Sequence, residues 1–238
     1  MINTLNETHL HKTLKAIYAS ENEGSLTEQP VGDYIADVVT KNGDVIEIQT
    51  GSLGHLIAKI MYYIEEKRSV TVVYPLPCVK YIETTDFTSG KVSRRKSPKK
   101  QNLYSMFREL TALCPVILNR RFTLEVIEST VTEERKTTED AVQSKNGRRR
   151  FPKKWLKTGK RLESVGKKHV FHGKSSYRKL IPKGLEDEFS ARDLYNALKD
   201  GVPGLKMDNI RLMIWVYVHA EIMECTGKKG RSSIYRLK

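Results

Sequence analysis

Cysteine is scarce in this chain. Cys78, Cys114 and Cys225 are an odd, scattered set of three with no CxxC pair, so neither a disulfide framework nor a structural zinc site is indicated. No run of about 18 apolar residues occurs, which removes a membrane-spanning helix and a membrane partner from the expectations. The opening MINTLNETHLHKTLK has no apolar signal-peptide core, and no internal repeat is visible. A cytoplasmic location is expected. One further shortage is local: residues 145–183 hold a single acid, Glu163, against 15 Lys and Arg.

That block carries the chain's whole excess of +14 over 238 residues, whereas residues 1–84 are net −4. A concentrated cationic stretch disfavours chemistry on small neutral molecules and favours a polyanionic partner, most simply nucleic acid.

Periodicity gives a coarse order of elements. Leu10, Leu14, Ile17 and Tyr18 fall at helical spacing, and Thr4 with Glu7 has the spacing of a capping box, so a helix is expected over 4–20. Residues 34–39 (YIADVV) and 45–49 (VIEIQ) read as strands joined by a hairpin, with 26–33 a candidate third strand. Leu53, Leu56, Ile57, Ile60 and Ile64 stripe a helix over 53–66, and 69–75 (SVTVVYP) is a short strand ended by proline. A loop is expected over 88–100, a helix over 102–113 and a strand over 121–132. The basic stretch 145–176, punctuated by glycine, reads as an extended or weakly ordered arm.

The last 55 residues read as a separate unit. Ser190 is a candidate N-cap for a helix at 190–199, a second helix covers about 207–220, and two strands flank Gly-Lys-Lys-Gly. That order resembles a winged helix-turn-helix. Domain boundaries are accordingly expected at 1–140, 141–183 and 184–238.

The candidate chemistry lies in two carboxylates. Asp37 sits between Ala36 and Val38, and Glu47 between Ile46 and Ile48, each inside an apolar strand where a lone charge is costly. A two-residue turn at Asn42-Gly43 would pair Val38 with Glu47 and send Asp37 to the other face. A three-residue loop, Lys41-Asn42-Gly43, would set Asp37 opposite Glu47. Only the second register builds a site. Its like charges would favour a bound cation, and Mg²⁺ suits a pair of carboxylates completed by water. The plain alternative is two acids on a solvated strand face.

Asp37, nine residues, then Glu47-Ile48-Gln49 resembles the PD-(D/E)XK, or restriction-endonuclease-like, nuclease superfamily over roughly residues 4–76. The resemblance implies an α/β (α+β) core of order αβββαβ, a mixed sheet flanked by helices, followed here by the winged-helix unit. It implies Asp37, Glu47 and the Ile48 carbonyl as ligands of Mg²⁺ (or Mn²⁺), and Glu7 as the acid often found on the first helix. Ala36 replaces the motif's proline. Gln49 replaces its lysine; the alternatives are Gln49 acting alone, help from Lys59 on the following helix, and weakened or lost activity.

The expected grip on phosphates is Arg148, Arg149, Arg150, Lys153, Lys154, Lys157, Lys160, Arg161, Lys167 and Lys168, interleaved with Phe151, Trp155, Phe171 and Tyr177. In the C-terminal unit Lys206, Asn209 and Arg211 would stand at the start of a recognition helix, and Lys228, Lys229 and Arg231 on a basic wing. That second helix is apolar nearly all round, which also predicts burial on two sides. His169 with His172 reads as a phosphate contact or as plain loop residues, and His55 as a helix-surface residue.

The function expected is a Mg²⁺-dependent DNA endonuclease hydrolysing phosphodiester bonds, with double-stranded DNA as partner. The alternatives are a catalytically inactive DNA-binding or regulatory protein on the same fold, and an RNA-binding or RNA-processing protein. Oligomeric state is left open, a homodimer included.

Overall fold

The computed structural model describes residues 8–144, 147 and 149–238. Thr4, Glu7 and Arg148 lie outside the described residues. Helix α1 (His9–Glu21) starts where the Thr8 hydroxyl accepts from His11 N–H, and it buries Leu10, Leu14 and Tyr18. Next come β1 (Leu26–Val31), β2 (Tyr34–Val39), β3 (Val45–Ile48), α2 (Ile57–Glu65) and a long β4 (Val70–Thr85). β1, β2 and β3 form an antiparallel meander, and β4 runs parallel to β3. Gly32 turns the first hairpin at φ +59, where a side chain would also strike the Tyr62 ring.

β4 does not stop at Pro75. Val70 N–H donates to Arg121 on one side, and Val73 C=O accepts from Gln49 N–H on the other. By alternation the missing N–H groups of Pro75 and Pro77 face the side where β3 has already ended, so no ladder bond is lost. β5 (Val92–Lys96) takes that side further along, pairing with Tyr81–Thr85 inside the stretch expected to be a loop. β6 (Phe122–Val142) is parallel to β4 along its length, and β7 (Lys153–Phe171) returns antiparallel to β6. The sheet order is β1-β2-β3-β4-β6-β7, with β5 on β4.

β7 corrects the expected arm. Residues 153–171 are a strand of the main sheet, because their cations meet acids on its neighbours. Arg161 forks onto Glu83 and also reaches Glu134 and Glu163, and Lys168 lies 3.2 Å from Glu125. Composition alone suggested an extended or weakly ordered arm, but the opposing charge comes from residues far away in sequence. The boundary expected at 140/141 therefore falls inside β6, and the sheet unit runs through Phe171.

After β7 come α4 (Gly173–Arg178), β8 (Glu188–Ser190), α5 (Ala191–Lys199), α6 (Met207–His219), β9 (Met223–Lys229) and β10 (Ser232–Leu237). Ser190 and Asp193 cap α5 reciprocally. The three strands form a sheet in the order β8-β10-β9. α6 buries Ile210, Met213, Ile214, Val216 and Tyr217, partly against α3 (Phe107–Leu110), where the Phe107 and Tyr217 rings meet edge to face at 5.4 Å. The apolar core is continuous from α2 through α3 to α6. The unit is not separated from the sheet domain by a linker, since β7 leads straight into α4 and Phe171 stacks on Tyr177.

The architecture is mixed α+β, with one large mixed sheet flanked by helices. No described helix is long and apolar enough to cross a membrane.

Candidate functional site

The β2–β3 hairpin takes the three-residue register. Thr40 N–H donates to Asp44 C=O, Gly43 turns the loop at φ +83, and Val39 pairs with Val45 and Val38 with Ile46. One step further this register sets Asp37 opposite Glu47. There the two strands part, and side chains take over the backbone groups that the ladder leaves. Asp37 Oδ2 accepts from Ile48 N–H at 2.8 Å, and Lys59 Nζ, from α2, donates to Ile35 C=O at 2.7 Å.

The Lys59 ammonium also lies 2.6 Å from Glu47 Oε2, and the Tyr63 hydroxyl, one turn later on α2, donates to Glu47 Oε1 at 3.4 Å. On the other side α1 brings His11 Nε2 to 3.2 Å from Asp37 Oδ2. One turn along α1, Lys15 pairs with Glu28 of β1. Both helices thus aim a basic side chain into the gap where the strands diverge.

The two carboxyls are pushed apart electrostatically. Glu47 is 2 % exposed, and burial, helped by the charge of Asp37, lifts it to about 7 against the pull of Lys59. Burial also acts to raise Asp37, but the His11 hydrogen bond and charge, the Ile48 N–H and the Lys59 charge outweigh it and hold Asp37 below its ordinary value. The cleft holds one carboxylate that stays ionised and one poised near neutrality, a split typical of groups that share acid–base or cation-binding work.

Gln49 is not drawn into the pair. Its side-chain oxygen accepts from Gly51 N–H at 3.2 Å, and Lys59 is the group that stands beside Glu47. His55 is exposed on the turn before α2. His11 and Tyr63 escaped the sequence reading. The available signal was positional: His11 follows the buried Leu10, and Tyr63 lies one helical turn beyond Lys59.

Among the described residues no group of three or more His, Cys, Asp and Glu side chains comes together as a metal-ligating cluster. The donors present are the carboxylates of Asp37 and Glu47, hard oxygens of the kind Mg²⁺ takes one or two of before completing its shell with water.

The expected phosphate contacts divide. Arg149 is used internally: its guanidinium donates to Val142 and Trp155 carbonyls and stacks on the Trp155 ring at 3.9 Å, with Arg135 on that ring at 3.7 Å. Arg161 and Lys168 are held by acids, as described above. Arg150, Lys153, Lys154, Lys157 and Lys167 are exposed. In the C-terminal unit Asn209 caps its own helix by accepting from Lys206 N–H, and Arg211 pairs with Asp208 at 3.3 Å. Lys228, Lys229 and Arg231 are exposed at the β9–β10 turn.

Residues 8–172 match the model of a family described as a domain of unknown function, DUF8091. This span begins at the cap of α1 and ends just past β7, so it takes in the whole main sheet and stops short of α4. A protein of Treponema pallidum (strain Nichols), described as uncharacterized, is 31% identical over 195 residues, covering 81% of this chain and 73% of its own. No solved structure matches.

Proposed function

The chain belongs to the DUF8091 family, and we propose that it is a Mg²⁺-dependent nuclease of the restriction-endonuclease-like kind, acting in the cytoplasm on double-stranded DNA. The observation that carries this reading is the parting of β2 and β3 at Asp37 and Glu47, with Lys59 lodged between the strands. The element order α1-β1-β2-β3-α2-β4, with its antiparallel meander and parallel fourth strand, agrees with the αβββαβ core of that superfamily. The three cysteines are free thiols, as suits a reducing compartment.

Asp37 and Glu47 would hold the cation. Bound Mg²⁺ would neutralise phosphate charge and acidify a coordinated water. Lys59 spends two of its three N–H donors on Glu47 and Ile35 and keeps one for a substrate oxygen. This is the positive charge that Gln49 cannot supply at the motif's lysine position. The α4-β8-α5-α6-β9-β10 unit, whose strand order is that of a winged helix, would meet the duplex through Lys228, Lys229 and Arg231. Its α6 is too deeply packed to enter a groove along its whole length.

The test is incubation of plasmid and of RNA with purified protein, with Mg²⁺, Mn²⁺ or chelator, beside Asp37→Asn and Glu47→Gln. Metal-dependent cleavage that falls on the order of 10³-fold in both variants is expected. Equal cleavage by wild type and variants overturns the assignment. A second reading, a nucleic-acid-binding protein on a silent core, draws on the way the cleft already satisfies itself: Lys59 neutralises Glu47, while His11 and Ile48 occupy Asp37. Retained DNA binding without cleavage would select it.

A further inference from the structure

A second charged site lies on the distal part of the sheet, away from the carboxylates. Lys80 of β4, Lys99 and Gln101 from the segment after β5, Glu133 of β6, and Lys157 and Lys160 of β7 line a cavity of about 150 Å³. Glu133 is the one acid among them, and both its oxygens are engaged, Oε2 by Lys80 at 2.9 Å and Oε1 by Arg135. Lys157 and Lys160 have no carboxylate partner among the described residues.

We infer that this cavity binds one phosphate group, held by Lys99, Lys157 and Lys160 with the Gln101 amide as a neutral donor. Four lysines from three separate stretches of chain line a space with room for a phosphate and water. Like charges brought together repel one another unless an anion joins them. Lys160 records that cost: burial first, then the charges of Lys157 and Lys80, push its ammonium down to about 8, and Glu133 offsets only part. Lysine ammoniums are compact point charges suited to phosphate oxygens. Lys80 lies eight residues along β4 from Val72, the partner of Glu47, roughly 25 Å along the strand, so the cavity is distinct from the cleft. Only the source of the phosphate, a nucleic-acid backbone or a free phosphorylated compound, rests on the function proposed above.

The test is acylation of Lys160 by an amine reagent at pH 8 on the full chain, read by peptide mass spectrometry, with inorganic phosphate titrated against chloride at constant ionic strength. Saturable protection by phosphate is expected. Lys99→Gln, an exposed change that leaves the fold alone, should raise the half-protecting concentration on the order of tenfold, as for loss of one charge-assisted hydrogen bond. Equal labelling rates in phosphate and chloride overturn the inference. Protection by a 20-bp duplex as well supports the pocket with nucleic acid as the source. Protection by phosphate alone supports it with a free phosphorylated compound. Metal-dependent cleavage with an unprotected Lys160 sinks the pocket and spares the nuclease reading; a protected Lys160 without cleavage does the reverse.

Discussion

The proximal and distal parts of β4 lie beside charge clusters of opposite composition. Near Val72, two carboxylates share one lysine and one histidine, and every one of these groups is at least mostly buried. From Lys80 onward the strand lies among the cations of β7. Arg161 there is saturated by Glu83, Glu134 and Glu163, while Lys157 and Lys160 face a cavity with their one acidic neighbour already engaged. In the cleft each carboxylate already has a basic partner, whereas the distal ribbon formed by β4, β6 and β7 carries more base than its acids engage. Under the function proposed above the cleft would take a cation, and under the inferred pocket the ribbon would take an anion.

Substitutions on each side probe that contrast. The largest effect is expected from Lys59→Met, which strands Glu47 in the cleft. Removing one partner of a buried pair costs about 3–5 kcal/mol. Here the cost depends on pH, because the folded value of Glu47, already about 7, lies above its ordinary 4.5 and would rise further without Lys59. Stability tied to such a raised carboxyl is fully present below pH 4.5 and is lost as pH rises through the folded value. Urea unfolding should therefore show a large deficit at pH 8 and a small one at pH 5. A deficit independent of pH would mean that Lys59 acts through packing alone.

Glu133 on the ribbon should show the opposite sign. Burial pushes its carboxyl up, but Lys80 and Arg135 outweigh it and hold it at about 2. A depressed carboxyl contributes stability above its ordinary 4.5 and loses it as pH falls towards 2, a difference of roughly 3 kcal/mol. Glu133→Gln should flatten that acid limb. An unchanged limb would show that the ion pairs around Glu133 do not form in solution.

The smallest effects separate cations already spent from those that remain available. Lys153→Gln with Lys154→Gln should leave stability within about 0.5 kcal/mol and lower the slope of log affinity against log salt by about 0.9 for each phosphate no longer neutralised. Arg161→Gln should cost about 1 kcal/mol of stability and leave the salt slope alone. If Arg161→Gln changed the slope and the lysines did not, the division between structural and ligand-facing charge would be wrong. Deleting 145–176 outright is a poorer probe, since it would strip β7 from the sheet.

Much of the proximal half was legible in the sequence. The apolar alternation around Asp37 and Glu47, the Asn42-Gly43 signal and the stripe on α2 are local, and they led to the meander, α2 and the first part of β4. The choice between two hairpin registers was not local. The register seen is the one in which Asp37 can cap Ile48 N–H and Lys59 can reach Ile35, interactions that need β2, β3 and α2 assembled. The distal half misled for a related reason. Pro75 and Pro77 look like strand breakers until β3 is seen to end beside them, and the Lys- and Arg-rich stretch looks like an arm until Glu83, Glu134 and Glu125 are found alongside.

The sequence by itself determined where charge and apolar periodicity lie: an acidic pair in apolar strands, one cationic block, and a C-terminal helix too apolar to be free. Those properties depend on residues within a few positions of one another. Only the tertiary structure decided which charges are consumed and which remain. Ion pairing inside a fold depends on distances between residues such as Glu83 and Arg161 that lie on different strands, and no local pattern encodes that separation.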